Sequence, residues 1–177
     1  MRVLLLTLHS QNNNFGSVLQ ANSLCFYLRS LGHDVTVLNY RPYYSNGSSN
    51  KKKLLERMVI NSVFLPQYIK RTKKFNNMIS LERTTKMYTK YEQLKEVSFN
   101  YDVYMIGSDQ VWNPTYLCGN DTAYKLDFVK ENHSKLAYAA SLGTDQVSVE
   151  ELNTIVAKIN EFDFVSVREK VSAVQLA

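Results

Sequence analysis

A three-layer α/β domain built on a mainly parallel sheet is what the sequence predicts, and three observations predict it. Residues 2–8 form a near-continuous apolar run of strand length, the form a strand takes where both faces of a parallel sheet are covered. A helical apolar spacing and a second apolar run follow by residue 39, and such strand–helix–strand units are parallel and right-handed. Further apolar runs at 101–106, 135–140 and 162–167 alternate with polar turns and one more helical pattern, so the alternation continues to the end of the chain.

The elements can be justified in order. Val18, Ala21, Leu24, Cys25, Leu28 and Leu31 recur at helical spacing across 17–31, and Gly32 stands where a helix wants its C′ residue. Residues 34–39 alternate around Val35, Val37 and Leu38 as a second strand. Residues 43–50 are rich in Ser, Asn and Gly and read as a loop, while 51–65, 67–81 and a shorter piece at 91–97 read as weakly amphipathic helices. The segment 43–98 is therefore a predicted basic, mostly helical insertion in a single Rossmann-like domain covering 1–177. Ser148 and Glu151 have capping-box spacing and open a helix whose inner face is Leu152, Ile155, Val156 and Ile159. The run at 162–167 delivers Arg168 at its carboxyl end. From Glu169 the pattern is helical again and meets no stop signal before Ala177, which predicts continuation into a further domain. Val171, Val174 and Leu176 are the apolar residues that such a domain, or self-association, would cover.

Composition excludes several classes. Hydrophobic residues make up 45% and charged residues 21%, ordinary for a globular domain, and no stretch approaches 18 apolar residues. The short apolar start is followed at once by His9, Ser10, Gln11 and Asn12 without a small-residue cleavage site, so it reads as a strand and not a signal peptide. Cys25 and Cys118 are two and far apart, so neither a disulfide framework nor a metal cluster is expected, and the cytoplasm, or the inner face of the membrane, is the expected location. The net charge of +5 is concentrated: residues 51–95 carry 12 Lys or Arg against 3 acidic residues, leaving 9 against 13 elsewhere. That segment could dock on nucleic acid or an anionic surface, but its aromatics form no stacking platform, and a solvated helical surface is the preferred reading.

In an open parallel sheet, ligands bind beyond the carboxyl ends of the strands, so chemistry is sought in the segments that follow them. The richest is Gly107-Ser108-Asp109-Gln110-Val111-Trp112-Asn113. Gly107 admits close backbone approach, Ser108 and Asp109 offer a hydroxyl and an acceptor, and Trp112, the only tryptophan, would serve as a flat wall for a sugar; the plainer reading is a turn with a core Trp. After the first strand the amides near Phe15, Gly16 and Ser17 would face an anion at a helix start. Arg41 follows the second strand, Ser141 to Asp145 the fourth and Arg168 the fifth; Arg168 is a forked partner for carboxylate or phosphate, or else a surface partner of Glu169. His9 is a candidate base, His33 and His133 read as loop residues, and no phosphate-loop or dinucleotide fingerprint is present.

Several of these segments, in order, resemble the polysaccharide pyruvyl transferase family. They are the opening strand, Asn14-Phe15-Gly16-Ser17-Val18-Leu19-Gln20-Ala21, Gly32-His33-Asp34-Val35, Asn39-Tyr40-Arg41-Pro42, the Gly107 to Pro114 turn, Ala137-Tyr138-Ala139-Ala140-Ser141-Leu142-Gly143 and Val165-Ser166-Val167-Arg168-Glu169. The resemblance implies the amino-terminal half of a B-type glycosyltransferase-like fold, and a bacterial enzyme of exopolysaccharide synthesis that moves pyruvate from phosphoenolpyruvate onto two hydroxyls of a sugar as a ketal. No cofactor or metal is implied. Partners would be phosphoenolpyruvate, a polysaccharide or lipid-linked oligosaccharide acceptor and the missing carboxyl-terminal domain, which in the family supplies a catalytic His, so the chain alone is expected to be inactive. The implied donor or anion contacts are Gly16, Ser17 and Arg168; the implied substrate contacts are Asn14, Gln20, Gly107, Ser108, Asp109, Gln110, Trp112, Ser141 and Gly143. The chain departs from the family at Asn12-Asn13-Asn14, where many relatives carry a His. Two alternatives stand beside this reading: a non-catalytic glycan- or anion-binding module, and a nucleic-acid-binding domain.

Overall fold

The computed structural model of the chain describes residues 1–8, 14–42, 69–70, 73–74, 77, 83–130 and 132–177. Five strands, β1 (Arg2–Leu6), β2 (Asp34–Val37), β3 (Val103–Asp109), β4 (Ser134–Ala140) and β5 (Phe164–Val167), form one sheet in the order β2-β1-β3-β4-β5. Every neighbouring pair is parallel. All five carboxyl ends therefore rise at one edge, and the α/β Rossmann-like expectation holds. The helices α1 (Phe15–Ser30), α2 (Tyr91–Glu96), α3 (Val149–Ile159) and α4 (Lys170–Leu176) intervene or follow.

The helix boundaries follow from caps written in the sequence. Asn14 caps α1, its side-chain oxygen accepting from the amides of Gly16 and Ser17. At the other end Gly32, with φ of 84°, takes the left-handed conformation; its amide donates to the Arg29 carbonyl and that of His33 to the Leu28 carbonyl, a Schellman closure. Val18 and Ala21 are buried, and Leu24, Cys25 and Leu28 pack with Val3, Leu5, Val35, Val37, Val103 and Met105, each large aliphatic side chain contributing roughly 1.5–3 kcal/mol. Leu31, expected on this inner face, is instead exposed, because it is the cap residue where the helix has already turned away. Ser148 and Glu151 close the predicted capping box on α3, and Ile155 and Ile159 are buried, with Leu152 and Val156 half-buried.

The opposite face of the sheet packs Leu4, Leu6, Tyr104, Ile106 and Ala137 against α3, Leu94 of α2 and two short 3-10 turns, Leu117–Asn120 and Thr122–Lys125. One charged network lies here. Tyr91 donates to Asp127, Lys158 pairs with both Asp127 and Glu161, and Lys135 pairs with Glu161. The hydrogen bond from Lys158 holds the Asp127 carboxyl below the usual range, while burial and then the bond to Asp127 push the Tyr91 phenol up to about 12.

The predicted loop at 43–50 and helix at 51–65 lie outside the described residues, as does His9. Of the predicted 67–81 helix, residues 69–70, 73–74 and 77 are described and helical. At the end of α4, Val171 and Val174 are exposed, whereas Leu176 packs on the core.

Candidate functional site

Right-handed connections send the chain leftward from β1 to β2 and rightward from β3 to β4, so the sheet order reverses between β1 and β3. That switch point is where a parallel sheet opens a crevice at its carboxyl edge. A hydrogen-bonded bridge spans it. Ser108 Oγ on β3 donates to Gln20 Oε1 at 2.7 Å, and Gln20 Nε2 on α1 donates to Thr7 Oγ1 beyond β1 at 2.8 Å. Ser108 and Gln20 are half-buried and Thr7 is buried, so the bridge lies at the base of this switch point.

Gly107 builds the approach to this bridge. Its φ is 108°, the Gly107–Ser108 peptide is cis, and a Cβ at Gly107 would lie 2.0 Å from the Tyr138 carbonyl oxygen. The neighbouring strand gives way correspondingly. Between Ala137 and Ala140 the β4–β5 register shifts, Ala139 takes φ of 47°, and its amide donates to Ser166 Oγ at 3.0 Å. This bulge sets the ends of β3, β4 and β5 side by side: the Ser141 amide donates to the Asp109 carbonyl and the Arg168 amide to the Ala140 carbonyl.

Arg168 and Asp109 are thereby brought together, Nη1 to Oδ1 at 3.9 Å, while Arg168 Nε donates to Glu169 Oε1 at 2.6 Å. Asp109 Oδ1 also accepts from the Gln110 amide. Burial raises the Glu169 carboxyl, but hydrogen bonds from Arg168 and Ser141, the Arg168 charge and a bond from Ser172 outweigh it, leaving the carboxyl below its ordinary value. Arg168 thus sits between two carboxylates, on the crevice side of the sheet and with its charge already answered.

Other predicted contacts turn out to be spent on the fold. Trp112 is fully buried, packs edge-on against Phe162 and gives its indole N–H to the Tyr124 carbonyl at 2.9 Å, so its ring is core and offers no wall to a sugar. The plainer reading of the turn is the one the packing supports for this residue. Gly16 and Ser17 do not present open amides to an anion, because Asn14 already accepts from both. Ser141 is fully buried, accepting from the Gly143 amide and donating to Glu169. Gly143, with φ of 65°, is where Gln110 and Asn113 pack closest, a Cβ there meeting both at 2.5 Å. Gln110 itself accepts from Asn113. His33 and His133 lie at the amino edge, away from the crevice, His133 against the Tyr104 ring. Thr7, which carries the first end of the bridge, was not singled out from the sequence; a lone hydroxyl in the apolar run before His9 was the available signal.

The fold is α/β and Rossmann-like with an all-parallel sheet, and its carboxyl edge gathers polar groups from α1, the end of β1, β3 and the end of β5. The family model for polysaccharide pyruvyl transferases matches residues 14–176, and the chain belongs to that family. The match runs from the cap of α1 to the end of α4; it includes Gln20 and Ser108 and begins after β1 and Thr7. Neither curated proteins nor solved structures give a match.

Proposed function

We propose that this chain forms the amino-terminal wall of a pyruvyl transferase site that places pyruvate from phosphoenolpyruvate on a cell-surface glycan as a ketal. Family membership over 14–176 carries the reading, and the Thr7–Gln20–Ser108 bridge at the switch point supports it. Ketal formation needs two sugar hydroxyls, one proton delivered to the enol carbon and the other leaving with phosphate. Ser108 and Gln20 are suited to orient hydroxyls, and Asp109, paired with Arg168, is a carboxylate adjoining Ser108 on β3. Asn14 retains its side-chain N–H donors for the same ligand.

Arg168 enters as the donor's cation on the β5 side. An incoming carboxylate or phosphate has to displace Glu169 from Nε, a charge-for-charge exchange in which the forked geometry is kept. Following the family resemblance, we assign the general base and the second wall to a carboxyl-terminal half that this chain would face. A non-catalytic glycan- or anion-binding module is the second reading, and the prior neutralisation of Arg168 is what favours it.

Incubation with phosphoenolpyruvate and a panel of nitrophenyl glycosides tests the proposal, with released phosphate and the ketal methyl proton signal as readouts. Ketal is expected when a carboxyl-terminal half is present and not from these 177 residues alone. Sugar binding without phosphate release in both cases would leave the binding-module reading.

A further inference from the structure

Arg41 is the second arginine on a segment that follows a strand, and its surroundings differ from those of Arg168 in a way that bears on binding. Its Nε donates to Asn39 Oδ1 at 2.8 Å, a neutral acceptor, and among the described residues no carboxylate lies within ion-pair distance of it. Arg168, by contrast, is held between Glu169 and Asp109. The Arg41 side chain is half-buried, so its charge is partly withdrawn from water without an anion to answer it.

The residue is also held in place. The Leu38 amide donates to Leu5 on one side; on the other, the Asn39 amide donates to Thr85 Oγ1, that of Tyr88 to the Asn39 carbonyl and that of Arg41 to the Tyr88 carbonyl. Tyr40, between them, is buried and donates to Asp121 at 2.8 Å. With Nε tied to Asn39, the guanidinium plane is set, and among the described residues no hydrogen bond takes up the two terminal nitrogens, whose edge has the geometry that receives carboxylate or phosphate through two parallel bonds. Preorganisation of this kind removes much of the ordering cost of binding.

We infer that Arg41, oriented by Asn39, is an oxyanion-binding residue on the β2 side of the crevice, for a phosphate or carboxylate group of the bound ligand. Arg41 and Arg168 flank opposite ends of the sheet, four strand spacings or about 19 Å apart at the backbone, so they do not close on one small group. Identifying the ligand as phosphoenolpyruvate rests on the pyruvyl transferase reading, whereas the oxyanion site does not.

Calorimetric titration of the chain with phosphoenolpyruvate, inorganic phosphate and pyruvate, beside a neutral methyl glycoside, tests this. Arg41→Ala should weaken binding of the oxyanion that the wild type takes by about tenfold or more, Arg41→Lys should recover part of it, and Asn39→Ala should lose less than Arg41→Ala. Phosphate binding without pyruvate binding identifies the phosphate group, and the reverse identifies the carboxylate. Unchanged affinity in a folded Arg41→Ala protein, checked by circular dichroism, overturns the assignment and leaves the pyruvyl transferase reading standing. So does a wild type that binds none of the three at millimolar concentration. Oxyanion binding through Arg41, together with no ketal from any acceptor even when a carboxyl-terminal half is present, supports the site and removes the transferase reading.

Discussion

Replacing Trp112 separates a core residue from a ligand wall, because the two roles place the loss in different measurements. The indole is fully buried and its N–H is the partner of the Tyr124 carbonyl, on a residue that is itself 1% exposed. Trp112→Phe keeps most of the apolar contact with Phe162 but removes the hydrogen bond to that carbonyl, a cost of about 0.5–1.5 kcal/mol. The smaller ring adds a cavity term of about 1 kcal/mol. Trp112→Ala removes the ring altogether and should cost about 3–5 kcal/mol, a large part of the roughly 5–15 kcal/mol available to a domain. Equilibrium unfolding in urea, followed by far-ultraviolet circular dichroism because the protein has only 1 Trp, measures this. With an m-value near 2 kcal/mol/M, Trp112→Phe should lower the midpoint by about 1 M. The reasoning is refuted if both variants unfold at the wild-type midpoint while ligand binding is lost, since that outcome belongs to an exposed wall.

Three further outcomes are expected. Gly107→Ala should abolish soluble expression or cost several kcal/mol, because its Cβ would stand 2.0 Å from the Tyr138 carbonyl oxygen at a φ that disfavours side chains; a soluble variant with wild-type midpoint would contradict the packing at the strand end. Glu169→Gln should raise the affinity for small oxyanions by freeing Arg168 Nε, and it should flatten the acid limb of stability, measured by thermal melts from pH 6 downward. Glu169 is depressed in the folded state, so its contribution is present above the ordinary glutamate value of 4.5 and is lost as pH falls through the lower folded value. Tyr91, raised to about 12, should stay protonated through the main phenolate transition near pH 10 in an absorbance titration; Tyr91→Phe should leave the amplitude of that transition unchanged.

Much of the architecture could be read directly because it depends on local rules. The apolar runs that become β1 and β3, the Ser148–Glu151 box, the Gly32 terminus and the helical spacing of Val18, Ala21, Leu24, Cys25 and Leu28 are short-range patterns, and parallel order follows from alternation. The position of the crevice followed too, since parallel strands put all their carboxyl ends at one edge. The family resemblance was legible for the same reason, as ordered segments at those ends.

Tertiary structure alone decided which polar groups at that edge remain open. Ser141 is drawn beneath Glu169, and Trp112 turns inward to reach a carbonyl 12 residues along the chain. Gln20 joins Ser108 across 88 residues of sequence and Thr7 across 13, and Arg168 meets Asp109 only because a bulge in β4 realigns the strand ends. A residue type states what hydrogen bonds and charges a side chain can offer. Whether they are satisfied inside the fold or left for a ligand depends on partners distant in sequence, and packing is what selects those partners.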